Sequence, residues 1–120
     1  MPVSSYKELL AWQRAMELAE EIYRLTRSFP DDERFGLTNQ MRRSAVSIAS
    51  NIAEGQGRGA GSDFARFLRI ANGSRQELET QLALSYRIGM TTEASAGKAF
   101  TLIDKVGRLT AGLLKSIRDS

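Results

Sequence analysis

Proline occurs only at positions 2 and 30 of this 120-residue chain, so everything after Pro30 is free of the residue that most effectively breaks a helix. Long uninterrupted helices are therefore permitted, and the apolar residues recur at the intervals helices need. From Tyr6 onward two stripes with alternating three- and four-residue spacing run side by side: Leu9, Trp12, Met16, Ala19 and Tyr23, and Ala15, Leu18, Ile22, Leu25 and Phe29. Ser4 and Ser5 offer N-caps, with Glu8 at capping-box distance from Ser5, which places the first helix over about 6–28. A face with two stripes implies contact with more than one neighbour.

The segment Pro30-Asp31-Asp32-Glu33-Arg34-Phe35-Gly36 reads as a turn, after which Leu37, Met41, Ala45, Ile48 and Ile52 restart the helical period. The second helix is placed over 37–55 and is built on small residues, Ser44, Ala45, Ser47, Ala49, Ser50 and Ala53, that let backbones approach. Residues 55–61 hold four glycines and form a loop. Ser62 and Asp63 are expected to cap a third helix over 62–89, with Phe64, Phe67, Leu68, Ala71, Ser74, Leu78, Leu82 and Ser85 on one face. Thr91 or Thr92 caps a fourth over 92–117, with a seam of Ala99, Ile103, Val106, Thr110, Leu113 and Ile117. Gly97, Gly107 and Gly112 weaken that helix or mark close packing. No segment alternates like a strand. The expected fold is all-α, a single domain over 1–120 folded as an antiparallel up-down-up-down four-helix bundle.

The chemistry is bounded by absence. The chain has no histidine and no cysteine, which removes disulfides, thiolate and imidazole metal sites, and histidine-based nucleophilic catalysis. Di-iron bundles need Glu-x-x-His pairs that are missing here. Glu17, Glu20, Glu21, Glu54, Glu77 and Glu79 mostly fall beside the apolar seams, where a solvated or interface-edge role suits them better than a metal cage. The alternating Gly55, Gly57, Gly59 and Gly61 imitate a phosphate loop, but such a loop follows a strand and carries Gly-Lys-Ser/Thr, and this one does neither. The expectation is a protein without catalytic residues, metal or cofactor. No apolar signal-peptide core or membrane-length apolar run is present, and a cytoplasmic location is expected.

The charge is uneven. Seventeen basic against fourteen acidic residues give +3, divided as −1 over residues 1–57 and +4 over 58–120, and thirteen of the cations are arginine. Arg58, Arg66, Arg69 and Arg75 run through the loop and the first half of the third helix, and Arg42 and Arg43 lie on the second. Arg58, Arg66, Arg69 and Arg75 are the candidate contacts to nucleic-acid phosphates; a solvated surface, partly paired with Asp63, Glu77 and Glu79, is the alternative. Glu54 is a candidate anchor for Arg42 and Arg43.

The run Arg42-Arg43-Ser44-Ala45-Val46-Ser47-Ile48-Ala49-Ser50-Asn51-Ile52-Ala53-Glu54-Gly55 resembles the small bacterial four-helix-bundle proteins encoded by intervening sequences of 23S ribosomal RNA genes. Leu10 to Met16, Phe35 to Thr38, Phe67 to Ala71 and Glu77 to Leu82 add to the likeness, which covers about residues 4–90. The family pattern often has proline where this chain has Ala49, and an aromatic where it has Gln56. The resemblance implies a bundle that assembles with itself into a ring, a pentamer, with no established catalytic activity. It extends to the accessory protein of diversity-generating retroelements, a more basic pentameric bundle that binds nucleic acid and a reverse transcriptase. The implied partners are thus further copies of the chain, and RNA, DNA or a reverse transcriptase as alternatives. Trp12, Arg43, Asn51, Glu54, Gly55 and Glu77 are the positions implied to serve fold and assembly.

Overall fold

The computed structural model describes residues 5–59 and 61–119; the Ser4 cap, Pro2 and Ala60 of the glycine-rich segment lie outside them. Four helices fill the chain: α1 (Leu10–Thr26), α2 (Leu37–Gly57), α3 (Ser62–Arg87) and α4 (Glu93–Arg118). Helix α1 packs on α2 and α4, and α3 packs on the same two, so the helices form a closed square of sequential neighbours measuring 46 × 24 × 19 Å. This is the expected all-α bundle, and no strand occurs among the described residues.

The first helix starts later than its apolar period predicts. Ser5 does cap, its hydroxyl accepting from the Lys7 amide at 3.2 Å, but what it caps is a single 3-10 turn, Tyr6–Glu8. Leu9 then adopts an extended conformation (ψ 124°) that buries its side chain, and α1 begins at Leu10. The Gln13 amide Nε2 donates to the Lys7 carbonyl at 2.9 Å, satisfying a group that the interruption frees. At the other end Thr26 turns its hydroxyl back onto the Ile22 carbonyl at 2.7 Å, and the helix stops two residues before the expected Ser28.

Helix α2 runs two residues past the expected Gly55 and is closed by Arg58, whose amide donates to the Glu54 carbonyl at 3.2 Å. The cap of α3 is Gly61 (φ 79°) rather than Ser62, which is the helix's first residue; no side-chain cap bond forms there. Helix α3 ends at Arg87, where the Met90 amide donates to the Ser85 carbonyl at 2.9 Å. Thr92 caps α4 as expected, its hydroxyl accepting from the Ser95 amide at 3.1 Å.

The core is made by Leu18 and Ile22 of α1, Met41, Ile48 and Ile52 of α2, Leu68, Leu78 and Leu82 of α3, and Ile103 and Val106 of α4, all fully buried. The second stripe of α1, from Ala15 to Phe29, is buried throughout. The first is not: Leu9 and Ala19 are buried and Trp12 is half-buried, but Met16 and Tyr23 remain 39% and 41% exposed. Among the described residues one charged group is buried. Glu21, expected beside the seams, is buried and pairs with the Arg24 guanidinium one turn on. The hydrogen bond to Arg24 and its charge, aided by Lys98 of α4, hold the Glu21 carboxyl below the usual carboxylate range against the opposing effect of burial.

Candidate interaction surfaces

Three surfaces gather the residues singled out by the sequence. The first is the groove between α1 and α2. Trp12 stands against Tyr6 in an edge-on pair, ring centroids 5.2 Å apart. Together with Met16, Ala19, Val46, Ala49, Ser50 and Ala53 they line a hollow of about 330 Å3. Ala49, Ser50 and Ala53 of α2 form its floor, whereas Ser44 and Ala45 are buried in the bundle as helix-packing residues. Farther along α2 a second hollow of about 480 Å3 continues the surface, walled by Tyr23, Arg43, Val46 and Ser47. Arg43 is exposed, and neither it nor Arg42 reaches Glu54, which pairs with Arg58 instead at 3.0 Å. Arg42 turns to α1, where its Nε donates to the Thr26 hydroxyl at 2.9 Å and its guanidinium lies 4.5 Å from the Tyr23 ring centre.

The second surface is the flank where α2 meets α3. A Cβ built on Gly55 would lie 2.7 Å from the Phe67 Cβ, so glycine is what permits the helices to cross this closely. One turn back, the Asn51 side-chain amide donates to the Ser47 carbonyl at 2.8 Å and to its hydroxyl at 3.0 Å, and that hydroxyl bonds to the buried Ser74 hydroxyl of α3 at 2.9 Å. Asn51 and Gly55 thus tie one interhelical contact, which accounts for two of the motif positions. Outward from this flank α3 shows Ile70, Leu84 and Ile88, which are 41%, 48% and 55% exposed, with Glu77 midway between the first two. Glu77 is exposed and lines a shallow hollow with Gly73 and Gln81.

The third surface is the end of the bundle at the glycine-rich loop. Arg58 and Arg66 both lie over the ring of Phe67, their guanidinium carbons 5.3 and 4.6 Å from its centre. The two charges are drawn together by that ring. Arg69, one turn from Arg66, is exposed and forms no ion pair among the described residues. Arg75 is not part of this group. Nine residues beyond Arg66, two and a half turns at about 3.6 residues per turn, it faces the other way. It is half-buried, donates to the Asn72 side chain at 2.9 Å and lies against Gly107 of α4, where an added Cβ would come within 2.9 Å of its guanidinium carbon. Gly107 thus lies beneath the Arg75 guanidinium, while Gly97 and Gly112 face open space. Asp63, Glu77 and Glu79 enter no ion pair among the described residues.

A fourth cluster was not foreseen. The corner where α1 turns into α2 places Arg27, Arg34 and Arg42 around one hollow, within the half of the chain whose net charge is −1. Counting charges along the sequence hides this, because of the eight acids of the same half only Asp31 lines the hollow. Among the described residues no group of acidic side chains is placed to hold a metal ion, and no helix is long and apolar enough to cross a membrane.

Comparison with known proteins agrees with this architecture. A solved structure from Bacteroides thetaiotaomicron VPI-5482, described as a protein of unknown function from the S23 ribosomal protein family, superposes with a TM-score of 0.79 at 24% identity. The match covers 88% of this chain and 99% of that one, and at this identity it speaks to the fold. No curated protein gives a significant match. The family model of the 23S rRNA-intervening sequence proteins matches residues 7–112, nearly the whole of the described bundle, and the chain belongs to that family.

Proposed function

We propose that this protein is a non-enzymatic assembly module, a bundle whose copies join head to tail into a closed homo-oligomeric ring, five-membered as its family resemblance implies. The observation that carries this reading is the uncovered first stripe of α1. Met16, Tyr23 and Val46, each about two-fifths exposed, lie with half-buried Trp12 along a continuous groove, whereas exposed apolar side chains on a monomer are ordinarily scattered. A second apolar strip, Ile70, Leu84 and Ile88, lies on a different helix. Two unlike patches on one protomer suit a heterologous contact, the kind that closes into rings. Their charges are complementary: Arg43 stands beside Val46 at the groove and Glu77 within the α3 strip, and neither is paired among the described residues.

Mixing two variants tests the arrangement. Val46→Glu spoils the groove and Leu84→Glu spoils the strip, so each alone remains monomeric. Mixed, they retain one intact pairing and form a heterodimer. A mixture that stays monomeric would contradict head-to-tail assembly.

A second reading, nucleic-acid binding, is favoured by Arg66 over Phe67 and the nearby Arg69, neither in an ion pair among the described residues, beside Arg58, whose charge Glu54 already partners. Neutralising backbone phosphates there gives affinity that falls steeply with salt. Titration of labelled RNA at two salt concentrations, with Arg66→Glu/Arg69→Glu as the variant, tests it: unchanged affinity in the variant excludes this surface.

A further inference from the structure

The hollow at the α1–α2 corner, about 350 Å3, is lined by Arg27, Arg34 and Arg42 with Thr26, Thr38 and a single acid, Asp31. Asp32 and Glu33, next to Asp31 in the turn, lie outside this lining. The Glu33 carboxylate accepts from the Leu37 amide at 3.0 Å and is committed to the first turn of α2. None of the three arginines enters an ion pair among the described residues. Arg42 is held in place by the Thr26 hydroxyl and the Tyr23 ring, so one guanidinium is preorganised with donors to spare. Three like charges around one concavity repel each other, and a phosphate group, which accepts two parallel hydrogen bonds from each guanidinium it meets, relieves that repulsion.

Beside them stands Phe35, 86% exposed and the most exposed large apolar side chain described, with the Arg34 guanidinium 5.5 Å from its ring centre. Apart from Arg34, little among the described residues covers this ring. Cations for backbone phosphates with an open aromatic face for a base is the pairing that single-stranded nucleic acids require. We propose that the α1–α2 corner binds single-stranded nucleic acid, with phosphates on Arg27, Arg34 and Arg42 and one base stacked on Phe35. This rests on the nucleic-acid reading above and adds a contact at the other end of α2, sixteen residues or about 24 Å along the helix from Arg58.

Fluorescence anisotropy with a labelled single-stranded oligouridine on the full-length protein tests it, at about 50 and about 200 mM salt. Arg27→Glu/Arg34→Glu should weaken binding at least about tenfold, and the milder Arg27→Gln/Arg34→Gln should lower the salt slope by about 1.4. Phe35→Ala should weaken oligouridine binding and leave binding of inorganic polyphosphate unchanged, since only the oligouridine has a base to stack. These side chains are exposed, and circular dichroism melts confirm that each variant is folded. If the corner variants bind as the wild type while Arg66→Glu/Arg69→Glu does not, the corner assignment falls and the nucleic-acid reading stands. If the wild type binds no oligouridine, both fall. If Phe35→Ala leaves oligouridine binding unchanged, the stacking contact is wrong.

Discussion

The Cα of Gly55 and the Cβ of Phe67 meet with no room for a methyl group between α2 and α3: a Cβ on the glycine would stand 2.7 Å from the Phe67 Cβ and 3.1 Å from Cδ1 of Phe64. This crossing of α2 and α3 is thus set by one hydrogen atom. It lies one turn from the Asn51–Ser47–Ser74 hydrogen bonds, so packing and polar contacts reinforce each other along the same flank.

Gly55→Ala should therefore destabilise the protein although alanine is the better helix former. Overpacking costs about 1–3 kcal/mol, and the propensity gain near a helix end offsets at most about 1 kcal/mol of it. Gly57→Ala is the control, because nothing lies within 4 Å of its Cβ position. Thermal melts should show a lowered midpoint for the first and an equal or raised one for the second. Equal midpoints for both would mean that the crossing is looser than described.

Asn51 and Ser74 should be energetically coupled through the Ser47 hydroxyl that both touch. Each alanine substitution removes a hydrogen bond and costs about 1 kcal/mol. A double-mutant cycle by urea unfolding should give a coupling of about 0.5 kcal/mol or more, and additive losses would remove Ser47 as the link.

Glu21 makes stability depend on acid. Its carboxyl is held below its ordinary value of 4.5 in the folded chain, so the unfolded chain takes up the proton first as pH falls. The stabilisation is fully present above that ordinary value and is lost as pH falls through the lower folded value. Urea melts of wild type and Glu21→Gln should differ at neutral pH, in favour of the wild type, and converge in strong acid. A difference that does not change with pH would assign the stabilisation to packing rather than to the charge.

Much of this architecture was readable from spacing. The seams of α3 and α4 fall where their three- and four-residue intervals put them, because those intervals encode a single buried face. The interruption at Leu9 was not readable: its apolar position fits the α1 period and Ser5 fits a helix cap, and only burial against the finished bundle favours the extended conformation. Arg75 shows a different limit. Proximity in sequence grouped it with Arg66 and Arg69, but helical rotation carries it to the α4 side, where it lies against Gly107. The corner cluster is the converse case, since Arg27 and Arg42 are fifteen positions apart and a tight turn brings them to one hollow.

Assembly through the α1–α2 groove means that another copy of the chain fills it. Size-exclusion chromatography with light scattering on the full-length protein at micromolar concentration measures this directly. The proposed ring requires a single species at a whole multiple of 13.3 kDa, five copies if it is a pentamer, and a return to 13.3 kDa for Met16→Glu/Val46→Glu. A wild-type protein that elutes with a mass of 13.3 kDa would contradict it.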